Sequence, residues 1–95
     1  METYIGMILQ FTYGFAPQNW ESCEGQTLQI QQNTALFSLI GTNFGGNGKT
    51  TFCLPDLRPR DSDGNLLNLN LGDKYNGGTY IPSYICTSGL YPSRP

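Results

Sequence analysis

Histidine and valine are absent from the 95 residues, charged side chains make up only 13 % of them, and the formal net charge is −2. Without His, neither a Ser-His-Asp nor a Cys-His relay can be assembled. The three cysteines, Cys23, Cys53 and Cys86, are widely spaced with no CxxC pair. A zinc site is therefore not expected, and the thiols read as small buried hydrophobes. A Cys23–Cys86 disulfide remains open if the first and last strands are neighbours. The weak negative charge provides no electrostatic footprint for nucleic acid. No apolar run approaches the roughly 20 residues that span a bilayer. The run after Met1 is broken by Gly6 and Gln10 and lacks a basic region before it, so no signal peptide is read.

Catalytic chemistry has equally little to draw on. The carboxylates are Glu2, Glu21, Glu24, Asp56, Asp61, Asp63 and Asp73, mostly in expected turns, where solvation leaves no reason for a raised pKa. A glycosidase-like pair would need, for example, Glu21 brought to Asp56. Asn47-Gly-Lys-Thr resembles the end of a phosphate-binding loop, but position 43 is Asn43 rather than glycine. A helix also precedes this turn and a strand follows it, the reverse of what a phosphate cradle needs. Asp61-Ser-Asp-Gly-Asn has the look of a calcium loop, yet its glycine comes too early and position 12 falls on Gly72. It reads as an Asx-rich turn. The expectation is no enzyme, no catalytic residue, no cofactor and no metal.

What the chain does have is twelve Gly, six Pro and many amides, the composition of a turn-rich, mainly β protein. A small domain with an amide-rich surface and exposed aromatics often gains stability by oligomerising, so the expectation is a compact, oligomeric, mainly β domain with one short α-helix at residues 34–40. Tyr4–Tyr13 reads as a strand with Ile5, Met7, Leu9 and Phe11 on one face and Ile8 on the other. Apolar residues on both faces point to a central strand, or to one covered by a neighbouring subunit. Trp20–Cys23 and Gln26–Ile30 read as a hairpin around Glu24-Gly25. Leu67, Leu69 and Leu71 alternate with asparagines like a half-buried strand. Asp73–Thr79 reads as a flexible loop. Tyr80–Tyr91 returns to strand character, with Pro82 marking an edge or bulge.

The densest information lies in NTALFSLIGTNFGGNGKTTFCLPDLR, residues 33–58. Asn33 is placed to cap a helix over Thr34–Ile40 with its side-chain oxygen, and Gly41 to end it. Glycines 45, 46 and 48 permit a sharp reversal into Thr51–Leu54. Pro55 stops that strand, and Asp56 is placed to turn the backbone through an Asx bond. Asp56 with Arg58 or Arg94 makes the candidate polar lock. Trp20, Phe37 and Phe44 are the aromatic candidates for fold-locking or assembly, Trp20 as a core or interface anchor.

This segment, with YIGMILQF at 4–11, FAPQNW at 15–20, CEGQTLQI at 23–30 and ICTSGLYPSR at 85–94, closely resembles the tail-collar domain of bacteriophage tail fibres and the related microcystin-dependent proteins. The resemblance implies one collar domain over 1–95, with 59–80 a shortened variable insertion and 81–95 a closing strand. The usual LRGR is altered, its second Arg becoming Arg60 after Pro59. The histidine-bound metal of the phage head cannot be carried over. The resemblance implies a structural protein of a phage tail fibre or extracellular fibre, located in a virion tail or such a fibre. It would associate with itself as a trimer or head-to-tail polymer, or with related collar subunits, aided by strand exchange through the first strand. The competing reading is a carbohydrate-binding adhesin that contacts a surface glycan through Tyr75, Tyr80 and Tyr84, beside Asp61 and Asp63.

Overall fold

The last strand organises the fold. In the computed structural model, which describes residues 3–93, Tyr84, Ile85 and Cys86 are all buried. A strand that is apolar on both faces must be covered on both, which selects it for a sheet centre. Strands β1 (Ile8–Gln10) and β2 (Trp20–Ser22) pair antiparallel on either side of β7 (Ser83–Cys86), giving the order β1-β7-β2. β3 (Thr27–Gln29) and β4 (Thr51–Cys53) form a second, two-stranded sheet, and β5 (Lys74–Tyr75) and β6 (Gly78–Thr79) a small hairpin. One helix, α1 (Thr34–Ile40), follows a single 3-10 turn at Ile30–Gln32. The architecture is mainly β with one short helix.

The three-stranded sheet divides the interior. Ile85 joins Ile5, Cys23, Leu36, Phe52 and Leu54 on one side, beneath α1 and the β3–β4 pair. Trp20, Tyr84 and Cys86 form the other cluster, with Met7, Leu9 and Phe11 packed against it. Register explains the partition: Trp20 lies opposite Cys86 and Leu9 opposite Tyr84, so these side chains share one face. All three cysteines are free thiols; burial pushes that of Cys23 up to about 11.

Several expectations need correction. β1 is an edge strand, not a central one, and Ile8 on its second face is exposed. The chain does reverse at Glu24-Gly25, but β2 and β3 enter different sheets, because β2 finds its partner in the distant β7. Asn33 occupies the N-cap position of α1 without capping it; its amide nitrogen donates to the Gln29 carbonyl at 3.0 Å. The preceding 3-10 turn has already set the entry of the helix. Leu67 and Leu69 are half-buried and alternate as expected, but Leu71 is exposed and no ladder forms there among the described residues. The stretch 73–79 is no loose loop: Asn76 and Gly77, with φ of 50° and 77°, close the β5–β6 hairpin. Pro82 precedes a central strand, where its missing N–H interrupts no ladder bond.

Candidate functional site

Three surfaces carry chemistry or contact. The first is the turn that follows β4. The segment from Leu54 to Leu57 is laced onto the β2–β3 connection by Leu54 N–H to Gln26 O at 2.9 Å, Gly25 N–H to Pro55 O at 3.3 Å and Leu57 N–H to Cys23 O at 2.9 Å. Asp56 then collects four hydrogen bonds. Arg58 donates from Nε to Oδ1 and from Nη2 to Oδ2, both at 2.9 Å, and its backbone N–H reaches Oδ1 at 3.2 Å. Arg60 donates from Nη2 to Oδ2 at 2.9 Å. The fork of Arg58 matches the carboxylate in the bidentate geometry that makes such pairs directional.

These donors hold the Asp56 carboxyl well below the usual carboxylate range, the side-chain bonds from Arg58 being the largest cause. Asp56 in turn raises the Arg58 guanidinium, with Glu24 adding to the effect. Arg58 also donates to the Glu24 carbonyl at 3.2 Å, and Arg60 to the Gly64 carbonyl at 2.9 Å. The clasp thus ties three backbone segments together. Arg60, expected from the sequence only as a departure from LRGR, completes it; with Arg58 it forms a pair of arms around Pro59 that close on the same carboxylate. Arg94 lies outside the described residues.

A carboxylate with a depressed pKa contributes stability above its unfolded value and loses that contribution as the pH falls toward its folded value. Asp56→Asn is therefore expected to lower stability by about 1 kcal/mol at neutral pH, the value for charged hydrogen bonds discounted for partial exposure. The gap from wild type should close as the pH falls below about 4. Urea melts at pH 7 and pH 2.5 check it, and a gap independent of pH would contradict the assignment.

The second surface is a cleft of about 380 Å³ lined on one side by the β2–β3 connection and on the other by residues 66–71 and 80–84. Leu57, Leu67 and Leu69 give it apolar walls, and Arg58, Asn68 and Tyr80 bring polar groups. A shallower depression beside it holds Tyr75 and Tyr80. Tyr80 is half-buried, and burial raises its phenol. Tyr84 is only 4 % exposed and packs on Phe11 with ring centroids 5.7 Å apart, so its ring face is not free to stack on a ligand. In the neighbouring turn Asp61 Oδ1 accepts from the Asp63 and Asn65 amides, both at 2.9 Å.

The third surface is aromatic. Phe11, Tyr13 and Phe15 recur every second residue and form a ladder, with centroids 5.3 Å apart in the first pair and 6.0 Å in the second. Its inner end meets Trp20 edge-on at 5.0 Å. Its outer end is open: Tyr13 is 58 % and Phe15 65 % exposed. Trp20 itself lies in the interior, Phe37 is half-buried against Phe52 at 5.4 Å, and Phe44 is exposed on the glycine reversal. The spacing of the aromatics in FTYGF was the sequence signal for this ladder.

The profile of the Phage Tail Collar Domain matches residues 6–62, more than half of the chain. No curated protein and no solved structure matches it significantly. The match takes in the aromatic ladder, α1, the glycine reversal and the whole Asp56–Arg58–Arg60 clasp. The chain belongs to the phage tail collar domain family, whose members are structural domains of phage tail fibres.

Proposed function

We propose that residues 1–95 form one collar domain that works as a self-assembling subunit of a phage tail fibre or similar extracellular fibre, its copies joining as trimers or head to tail. Residues 81–95 close the domain in this reading, which the central position of β7 supports. Asp56, Arg58, Trp20 and Phe37 lock the fold, and Phe44 with Tyr13 and Phe15 meets neighbouring subunits. The open aromatic ladder carries the proposal: two rings more than half exposed, in a chain with few charges, favour burial against a partner.

Light scattering on a sizing column, with negative-stain images of the same peak, tests it. Trimers or polymers are expected from the native chain. The double variant Tyr13→Ser with Phe15→Ser should dissociate them at least tenfold more readily, while the far-UV circular dichroism stays unchanged because both rings lie outside the core. A native chain that stays monomeric at high concentration would refute the proposal.

A second reading, a glycan-binding adhesin, is favoured by the cleft, whose mixture of leucine walls, amides and Tyr80 suits a sugar. Tyr75 and Tyr80 would be the contacts. Binding on a glycan array that is lost in Tyr80→Ala supports it, and an empty array removes it.

A further inference from the structure

The outer edge of β1 carries backbone groups that no other strand takes up among the described residues. Cys86 N–H donates to the Met7 carbonyl at 2.8 Å, so Met7 turns its carbonyl toward β7, while its N–H goes to the Tyr4 carbonyl at 3.1 Å. Antiparallel pairing alternates from there: Leu9 also faces β7, and the N–H and C=O groups of Ile8 and Gln10 point away from it. Among the described residues nothing pairs with that edge. Native sheets guard such edges by keeping them short, by bulges, or with lysine, proline or inward charges. β1 is short and its start is bulged at Gly6, where Gly6 and Met7 both bond Cys86, but the chemical guards are missing. Here the stretch between Glu2 and Glu21 holds no charged residue, and the one proline in it, Pro17, lies beyond the strand. Ile8 is 41 % exposed on this short, uncharged strand.

We propose that two copies of this chain join β1 to β1 antiparallel about a two-fold axis through Leu9, making one six-stranded sheet. The register follows from the outward groups. Ile8 of one copy exchanges both hydrogen bonds with Gln10 of the other, and the axis repeats the exchange. Leu9 then faces Leu9, and Met7 faces Phe11, at the closely spaced positions where side chains meet. All three are partly buried on the aromatic face of their own sheet, so the pairing makes the two aromatic clusters continuous. The Met7–Phe11 contacts add sulfur–aromatic attraction, twice by symmetry. With no charge on the strand, the same surface meets itself without repulsion, as an isologous contact requires. A copy of this chain fits better than a foreign strand because every apolar side chain on that face finds an apolar counterpart in this one register. The contact is distinct from the aromatic-ladder contact proposed above and does not depend on it: the ladder joins copies into a trimer or polymer, and the two-fold edge contact joins two such assemblies.

Ile8→Pro removes the outward N–H while leaving the bonds to β7 in place. It should weaken the two-fold association roughly tenfold or more, since two hydrogen bonds are lost per pair. Sedimentation velocity on the full chain measures this, with circular dichroism reporting the fold. A register test needs no proline. When Ile8→Cys and Gln10→Cys chains of distinguishable mass are mixed and mildly oxidised, the mixed dimer should exceed either homodimer well beyond the statistical share. Equal yields of all three species would overturn the register. An assembly that survives Ile8→Pro yet falls apart when Tyr13 and Phe15 are replaced would overturn the edge contact and leave the aromatic one standing.

Discussion

Gly46→Ala is expected to cost about 3 kcal/mol or more, enough to leave much of the chain unfolded at 37 °C if its stability is of the usual size. Two effects add. Gly46 has φ of 95°, where an L side chain is strained. The new Cβ would also stand 2.3 Å from Phe52 Cα and 2.6 Å from the Thr51 carbonyl oxygen. Both obstacles are backbone, so no rotamer change relieves them. The residue is pressed there because the reversal is doubly fastened: Gly45 O accepts from Cys53 N–H at 3.1 Å, and Asn47 Oδ1 accepts from three successive amides at Lys49, Thr50 and Thr51. Gly14→Ala separates strain from collision. Gly14 has φ of 78° but nothing within 4 Å of a built Cβ. There the strain is partly offset by the reduced freedom of the unfolded chain, and the net change should stay within about 1 kcal/mol. Urea midpoints for the two variants give the comparison. Equal losses would mean that the approach to Phe52 is unimportant.

The reversal is also where the sequence was most legible, for a physical reason. Each signal between Asn33 and Arg58 acts over a few residues: Gly41 ends α1 where expected, with φ of 56° and its N–H on the Phe37 carbonyl, and Asp56 turns the chain through its bond to the Arg58 amide. Local chemistry of that kind is carried by neighbouring residues. The arrangement of strands is not. β2 looks like half of a hairpin because Glu24-Gly25 does turn the chain, yet its partner lies some sixty residues on in β7. Nothing near Trp20 announces that pairing.

The misreadings elsewhere have separate causes. The Asn76-Gly77 pair is a strong local hairpin signal, obscured by a glycine-rich, polar composition that resembles a loose loop. Residues 67–70 keep the alternation of a strand without a ladder, because alternate burial requires only a surface to lie on, here the wall of the cleft. At the clasp, the Asp56–Arg58 pair was visible in LPDLR, whereas the reach of Arg60 to both Asp56 and Gly64 depends on the fold of the following turn.

Phe52→Ala should be the most costly truncation in the core, at about 3–5 kcal/mol, the range for emptying a buried phenylalanine site. Phe52 is fully buried on the strand that pairs Leu28 opposite it, and its ring meets Phe37 of α1 at 5.4 Å. The residue therefore joins three things: the β3–β4 pair, the helix and, through its Cα, the glycine reversal. Neighbours must collapse into the space left by the ring for the cost to be small. Leu36 and Leu54 are already fully buried, and Phe37 can move inward only by pulling on α1. Phe52→Leu keeps most of the volume and should lose only about 1–2 kcal/mol. A double-mutant cycle with Phe37→Ala reads the helix contact directly and should show coupling of about 0.5–1.5 kcal/mol. A loss below about 1 kcal/mol in Phe52→Ala would mean that α1 is held by other contacts. With the expected loss, one aromatic side chain couples helix and reversal, and the motif at residues 33–58 is conditional on the core beneath it.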